Sequence, residues 1–163
     1  MSTHATPSSG GPLAWKAARV IRWLDSVPYS LLAIPLRFAV ATVFWSSAMT
    51  KLANWETALS LFTEEYKVPL LPPELAAYMA AAIELTTPVM LVLGLGTRLA
   101  AFVLLGMTTV IEVFVYPQAW PTHVQWAAML LVLLFRGPGK WSLDHLMHER
   151  LVCVAGRSVV GDK

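Results

Sequence analysis

The sequence predicts an all-α integral membrane protein, a four-helix bundle with short amphipathic helices at its N-terminus, in its first outer loop and at its C-terminus. Three observations carry this. Of 163 residues, 56% are hydrophobic and only 13% charged. A soluble domain carries about 25% charged residues, so this chain has too few to cover a water-facing surface. Three apolar runs approach or reach the roughly 20 residues that cross a hydrocarbon core about 30 Å thick. The basic residues, finally, gather on one side of those runs.

Taken in order, residues 1–12 are rich in Ser, Thr, Gly and Pro and read as a disordered tail. Residues 13–30 form a cytoplasmic amphipathic segment. Lys16, Arg19 and Arg22 with Trp15 and Trp23 suit a helix lying on an anionic membrane surface. The same charges break the only apolar stretch near the start, so no signal peptide is expected. The bundle occupies residues 31–145. Its first span, 31–49, holds one charge, Arg37; its second, 75–95, holds Glu84; its third, 99–116, holds Glu112. A fourth, 121–135, starts at Pro121, a favourable first helical position. It reaches only about 22 Å, so the 117–121 connection is expected to dip into the membrane under cover of protein.

Between the first two spans lies the acidic segment 52–74, with Glu56, Glu64, Glu65 and Glu74. Asn54 is placed to cap a helix from Trp55 to about Tyr66. Leu59, Phe62 and Tyr66 give that helix an apolar face for the outer leaflet. The run Val68-Pro69-Leu70-Leu71-Pro72-Pro73 ends it. Gly94-Leu95-Gly96 reads as the C-cap of the second span, and Ser142 as the start of a short helix leading into a cytoplasmic tail, 146–163. With four spans, Lys16, Arg19, Arg22, Arg98, Arg136, Lys140, Arg150, Arg157 and Lys163 share one side, against Lys51 and Lys67 on the other. Both termini are therefore expected in the cytoplasm of a bacterial cell, with the bundle in its inner membrane.

Several function classes have no footprint. The net charge of +2 is not concentrated, which argues against nucleic-acid binding. Cys153 is the single cysteine, so an internal disulfide or a Cys-ligated cluster is excluded. Glu112 and His123 supply two metal ligands where zinc takes at least three. The methionines share no face, and only His123 lies in or near a span as a haem ligand would. No metal and no covalent cofactor are expected, and no Rossmann, P-loop or nucleophile-elbow pattern is present.

What remains are the charges inside the spans. Each costs about 2.5–3.5 kcal/mol on insertion scales and needs a reason. Arg37 lies roughly 9 Å and Glu84 roughly 16 Å from the cytoplasmic side, an offset an arginine can bridge, so Arg37–Glu84 is a candidate pair. It either fixes helix register or serves a quinone headgroup or proton. Ala76, Ala77, Ala80 and Ala81 line the Glu84 side of the helix and allow close approach of a neighbour. Pro88, four residues on, frees the Glu84 carbonyl. Glu112, His123 and Lys51 share the outer end and form a second candidate cluster, supported by Thr109 and Gln125. Glu and His suit a proton relay or a quinol hydroxyl; the alternative is an interfacial His beside a glutamate satisfied by Lys51.

Certain stretches, taken together, resemble the DoxX family of small four-helix membrane proteins over roughly residues 31–145. They are Arg37-Phe38 with Lys51-Leu52; Val68-Pro69 with Leu71-Pro72; Glu84 followed by Leu93-Gly94-Leu95-Gly96-Thr97-Arg98; and Arg136-Gly137-Pro138-Gly139-Lys140-Trp141-Ser142-Leu143-Asp144. Ala48 and Thr87-Pro88 stand where such proteins usually carry glycine. The resemblance implies a membrane partner of quinone-coupled sulfur oxidation or of a redox-stress complex, and it supplies no catalytic residue. The leading expectation is an accessory or anchoring subunit of a redox enzyme in the lipid bilayer, with a quinone as its one candidate cofactor and self-association open. The alternatives are a protein handling a small solute or metal, and a structural scaffold without chemistry.

Overall fold

The computed structural model describes residues 12–69 and 71–150. Most of the N-terminal tail, Leu70, and the tail from residue 151, including Cys153, Arg157 and Lys163, lie outside the described residues. Every regular element among the described residues is helical.

The amphipathic segment is helix α1, Pro12–Asp25. A short turn leads to α2, Tyr29–Ala53, which extends the expected first span at both ends. Asn54 interrupts the chain, and its side chain accepts from the Thr57 amide at 3.1 Å, which starts α3, Trp55–Leu61, as its position predicts. The chain then widens into a five-residue π turn, Phe62–Tyr66, that ends with Lys67 in the left-handed region. Helix α4, Pro73–Leu93, runs unbroken through Pro88. Gly94 closes it at φ +68°, with its own amide and that of Leu95 bonded back to Leu91 and Met90; only glycine takes that conformation without strain. Helix α5, Thr97–Val110, continues into a second π turn, Ile111–Val115. A 3-10 turn, Pro117–Ala119, leads to α6, Trp120–Arg136. Residues 143–150 are helical again, begun by Ser142, whose hydroxyl accepts from the His145 amide at 3.2 Å.

Helices α2 through Ala53, α4, and α5 with its π turn are each long and apolar enough to cross a membrane. The shorter α6 packs against α5 and α2, while α4 packs against α2 and α5. One core joins Val40, Phe44, Leu91, Leu104, Leu130 and Leu133 from α2, α4, α5 and α6. A second sets Phe62 of the first π turn against Ala76, Ala77 and Ala80. Helix α3 and its π turn thus dock on the alanine side of α4 through Ala58 and Phe62, both buried. Small residues give that close approach where lipid supplies no hydrophobic drive between helices.

Candidate functional site

The two ends of the bundle are built differently. At one end, Arg37 is 4% exposed. The expected Arg37–Glu84 pair does not form. Nε of Arg37 donates to the Leu91 carbonyl at 2.6 Å and Nη2 to that of Val92, while Nη1 reaches Trp141 at 2.9 Å and Pro138 at 3.3 Å. Leu91 and Val92 belong to the last turn of α4, where the Leu91 carbonyl takes only the capping Gly94 amide besides and the helix dipole favours a cation. Glu84 lies seven residues back along α4, roughly 10 Å away along the axis, and a nearer cation already holds it. Across the Gly94–Gly96 turn the logic is mirrored. Asp144 accepts from the amides of Gly96 at 2.7 Å and Thr97 at 3.0 Å, an anion on the N-terminus of α5. The segment 137–144 therefore closes this end of the bundle. Gly139 passes so near α2 that a Cβ there would stand 2.9 Å from the Cα of Ser30.

The opposite end holds a cavity of about 470 Å³. Its walls come from the Lys51 halves of α2 and α4, the far half of α5, the start of α6 and both π turns. Most of the lining is apolar; Phe44, Phe62, Trp126 and Tyr66 supply aromatic faces. Two polar groups break it. Glu84, 2% exposed, accepts from Lys51 Nζ at 2.7 and 2.9 Å and from the Ser47 hydroxyl at 3.0 Å. Lys51 Nζ also donates to Ser47 at 2.8 Å. Helical side chains lean toward the N-terminus of their helix, so Lys51 bends back one turn onto Ser47 and into the bundle. A buried carboxylate is tolerable only when paired and hydrogen-bonded, and this triad satisfies it.

On another wall, His123 Nδ1 lies 2.6 Å from a Glu112 carboxylate oxygen. The His123 ring is buried, tilts against Trp126 at 5.1 Å between centroids, and lines the cavity. With Nδ1 engaged by Glu112, Nε2 is the nitrogen left for a bound molecule. Glu112 is 30% exposed on its side chain, so the dyad runs from the cavity toward the surface. The expected cluster of Glu112, His123 and Lys51 is thus divided: Lys51 serves Glu84, and Glu112 serves His123. Thr109 and Gln125 are exposed and do not line the cavity, and the Thr109 hydroxyl bonds its own helix at Leu105.

An aromatic cover lies over this end. The Tyr116 hydroxyl donates to Glu65 at 2.9 Å and approaches that of Tyr66 at 3.5 Å, and the two tyrosine rings meet edge-on at 5.6 Å. Ser47 was legible in hindsight from its i,i+4 spacing to Lys51. Tyr66 and Tyr116 were not, because each is aimed by a π turn that periodicity does not announce. Among the described residues no three His, Cys, Asp or Glu side chains converge on a point.

The fold and site define a class: a helical membrane protein closed at one end by backbone capping and hollow at the other around buried charges. The DoxX family model matches residues 32–117, more than half of the chain. The chain belongs to the DoxX family. No match was found among curated proteins or among solved structures.

Proposed function

We propose that the protein is an accessory membrane subunit of a quinone-linked redox complex, and that the cavity at the Lys51 end is where it handles the quinone. The observation that carries this reading is one apolar chamber lined by both the Lys51–Glu84 pair and a histidine backed by a carboxylate. Lys51 can turn the N–H it gives Ser47 toward a quinone carbonyl, while the single Ser47 proton stays on Glu84. Nε2 of His123 is an acceptor for a quinol hydroxyl. Oxidation of a quinol releases electrons and protons together. The electrons go to a partner enzyme of the complex. Of the quinol's two protons, one passes to His123 at Nε2 as another leaves Nδ1 toward Glu112 and the surface, and the second follows by the same route once the imidazole has its proton back on Nδ1.

In this reading α6 is a fourth, slightly short span, and the basic flanks put both termini in the cytoplasm of a bacterial inner membrane. The cavity then lies in the outer half of the bilayer. Arg37 takes no part in the chemistry; its four carbonyl partners account for it. The test is quinol-linked oxygen consumption in membranes from Glu84→Gln and Glu112→Gln strains, with protein abundance measured alongside. A loss of rate at normal abundance is expected for Glu112→Gln, and for Glu84→Gln, whose pairing with Lys51 also carries stability, a loss of rate per protein retained. Unchanged rates at normal abundance would reject the quinone role.

A further inference from the structure

Helix α5 carries three residues one turn apart, Phe102, Gly106 and Val110, that both line the cavity and stand exposed. Phe102 is 63% exposed, and Met79 of α4, which also lines the cavity, is 44% exposed. A Cβ built on Gly106 meets no atom within 4 Å. Glycine in the middle of a helix is unfavourable by about 1 kcal/mol relative to alanine, and no neighbouring atom here requires it. What the missing side chain leaves is open space at the rim of the chamber. Gly106 lies nine residues into α5, roughly 13 Å along the helix, which is hydrocarbon depth in a spanning helix. The Tyr66–Tyr116 contact stands on the chamber wall beyond Val110.

We infer that the cavity is filled sideways from the lipid, through a notch between α4 and α5 framed by Met79, Phe102 and Val110 and kept open by Gly106. Its ligand is a membrane-dissolved amphiphile: a small polar head seated against Lys51, Glu84 and His123, and a hydrocarbon tail leaving over Gly106 into the acyl chains. The inference rests on the proposed quinone reading for the identity of the head, and on the geometry alone for the tail and the route. It assigns Gly106 as a specificity-determining residue. A head without a tail leaves the notch unfilled and its apolar walls without a partner.

The experiment uses the full chain in lipid nanodiscs. Equilibrium binding is measured, per mole fraction in the bilayer, for a benzoquinone with a ten-carbon tail, for the same head without a tail, and for a decyl alcohol. The tailed quinone should bind saturably, and the tail-less head at least tenfold more weakly. Gly106→Leu, which places a side chain in the open notch, should weaken the tailed quinone at least tenfold with the melting temperature unchanged. Val110→Trp on the same stripe supplies a second obstruction should Gly106→Leu prove unstable. Equal binding of the tail-less head, unaffected by either variant, would overturn the lateral route and leave the quinone reading standing. Equal binding of the alcohol, abolished by the variants, would uphold the route and reject the quinone. No saturable binding of any probe would overturn the site.

Discussion

Arg37 uses all three guanidinium nitrogens on carbonyls from two segments far apart in sequence, the end of α4 and the loop after α6. A lysine carries the same charge on one nitrogen and cannot span that set. Arg37→Lys is therefore expected to destabilise the protein by about 2–4 kcal/mol, from lost charge-assisted bonds and carbonyls left unpaired, read as a lowered melting temperature in detergent. Gly94 sits beside the same guanidinium. A Cβ there would lie 2.6 Å from that of Ser142, at a backbone angle that alanine resists. Gly94→Ala should cost about 2–4 kcal/mol, whereas Gly106→Ala, in open space within a helix, should stabilise by about 0.5–1 kcal/mol. Similar effects at both glycines would contradict the different roles given to them. Sequence alone marked Arg37 as needing a partner, but it suggested the wrong one. A carboxylate is visible in a sequence as an acceptor. The orphan carbonyls of a helix end belong to every residue type, and only the fold shows which are in reach.

At the scale of the element, α2 and α4 are joined by one ion pair set among small side chains. Removing either charge leaves the other buried without compensation, which costs about 3–5 kcal/mol, whereas removing both is often much milder. Lys51→Met and Glu84→Gln are each expected to lower stability strongly, and the double variant to recover part of the loss. Additive losses would show that the two side chains do not depend on each other. The apolar runs announced these helices well, because length and hydropathy are properties of consecutive residues. Asn54 as a cap and Gly94 as a stop were equally legible, since each acts on its neighbours in sequence. The π turns at 62–66 and 111–115 were not. Each inserts one residue into a helical turn; Tyr66 and Glu112 lie within these turns, and Tyr116 directly follows the second.

For the whole molecule, the division into a capped end and a hollow end comes from where the polar residues fall along antiparallel helices. The composition made a membrane protein legible from the outset, and the family match agrees with it. The cavity was less so, because its lining is drawn from several helical segments and no short motif spans them. The proposed orientation has a direct check. In a Cys153→Ser background, a membrane-impermeant maleimide added to intact cells with a permeable outer membrane should label Asn54→Cys. It should label Lys140→Cys only after the inner membrane is opened. The reverse pattern would invert the topology and put the hollow end in the cytoplasmic leaflet.

The most direct measurement is the quinone carried by the protein itself. Wild-type and Gly106→Leu protein are extracted from the same cells in polymer nanodiscs, and quinone per polypeptide is quantified by mass spectrometry. A clear excess in the wild type, lost in Gly106→Leu at equal protein yield and melting temperature, is the predicted result. Equal quinone in both preparations would contradict a chamber that takes its ligand from the bilayer past Gly106.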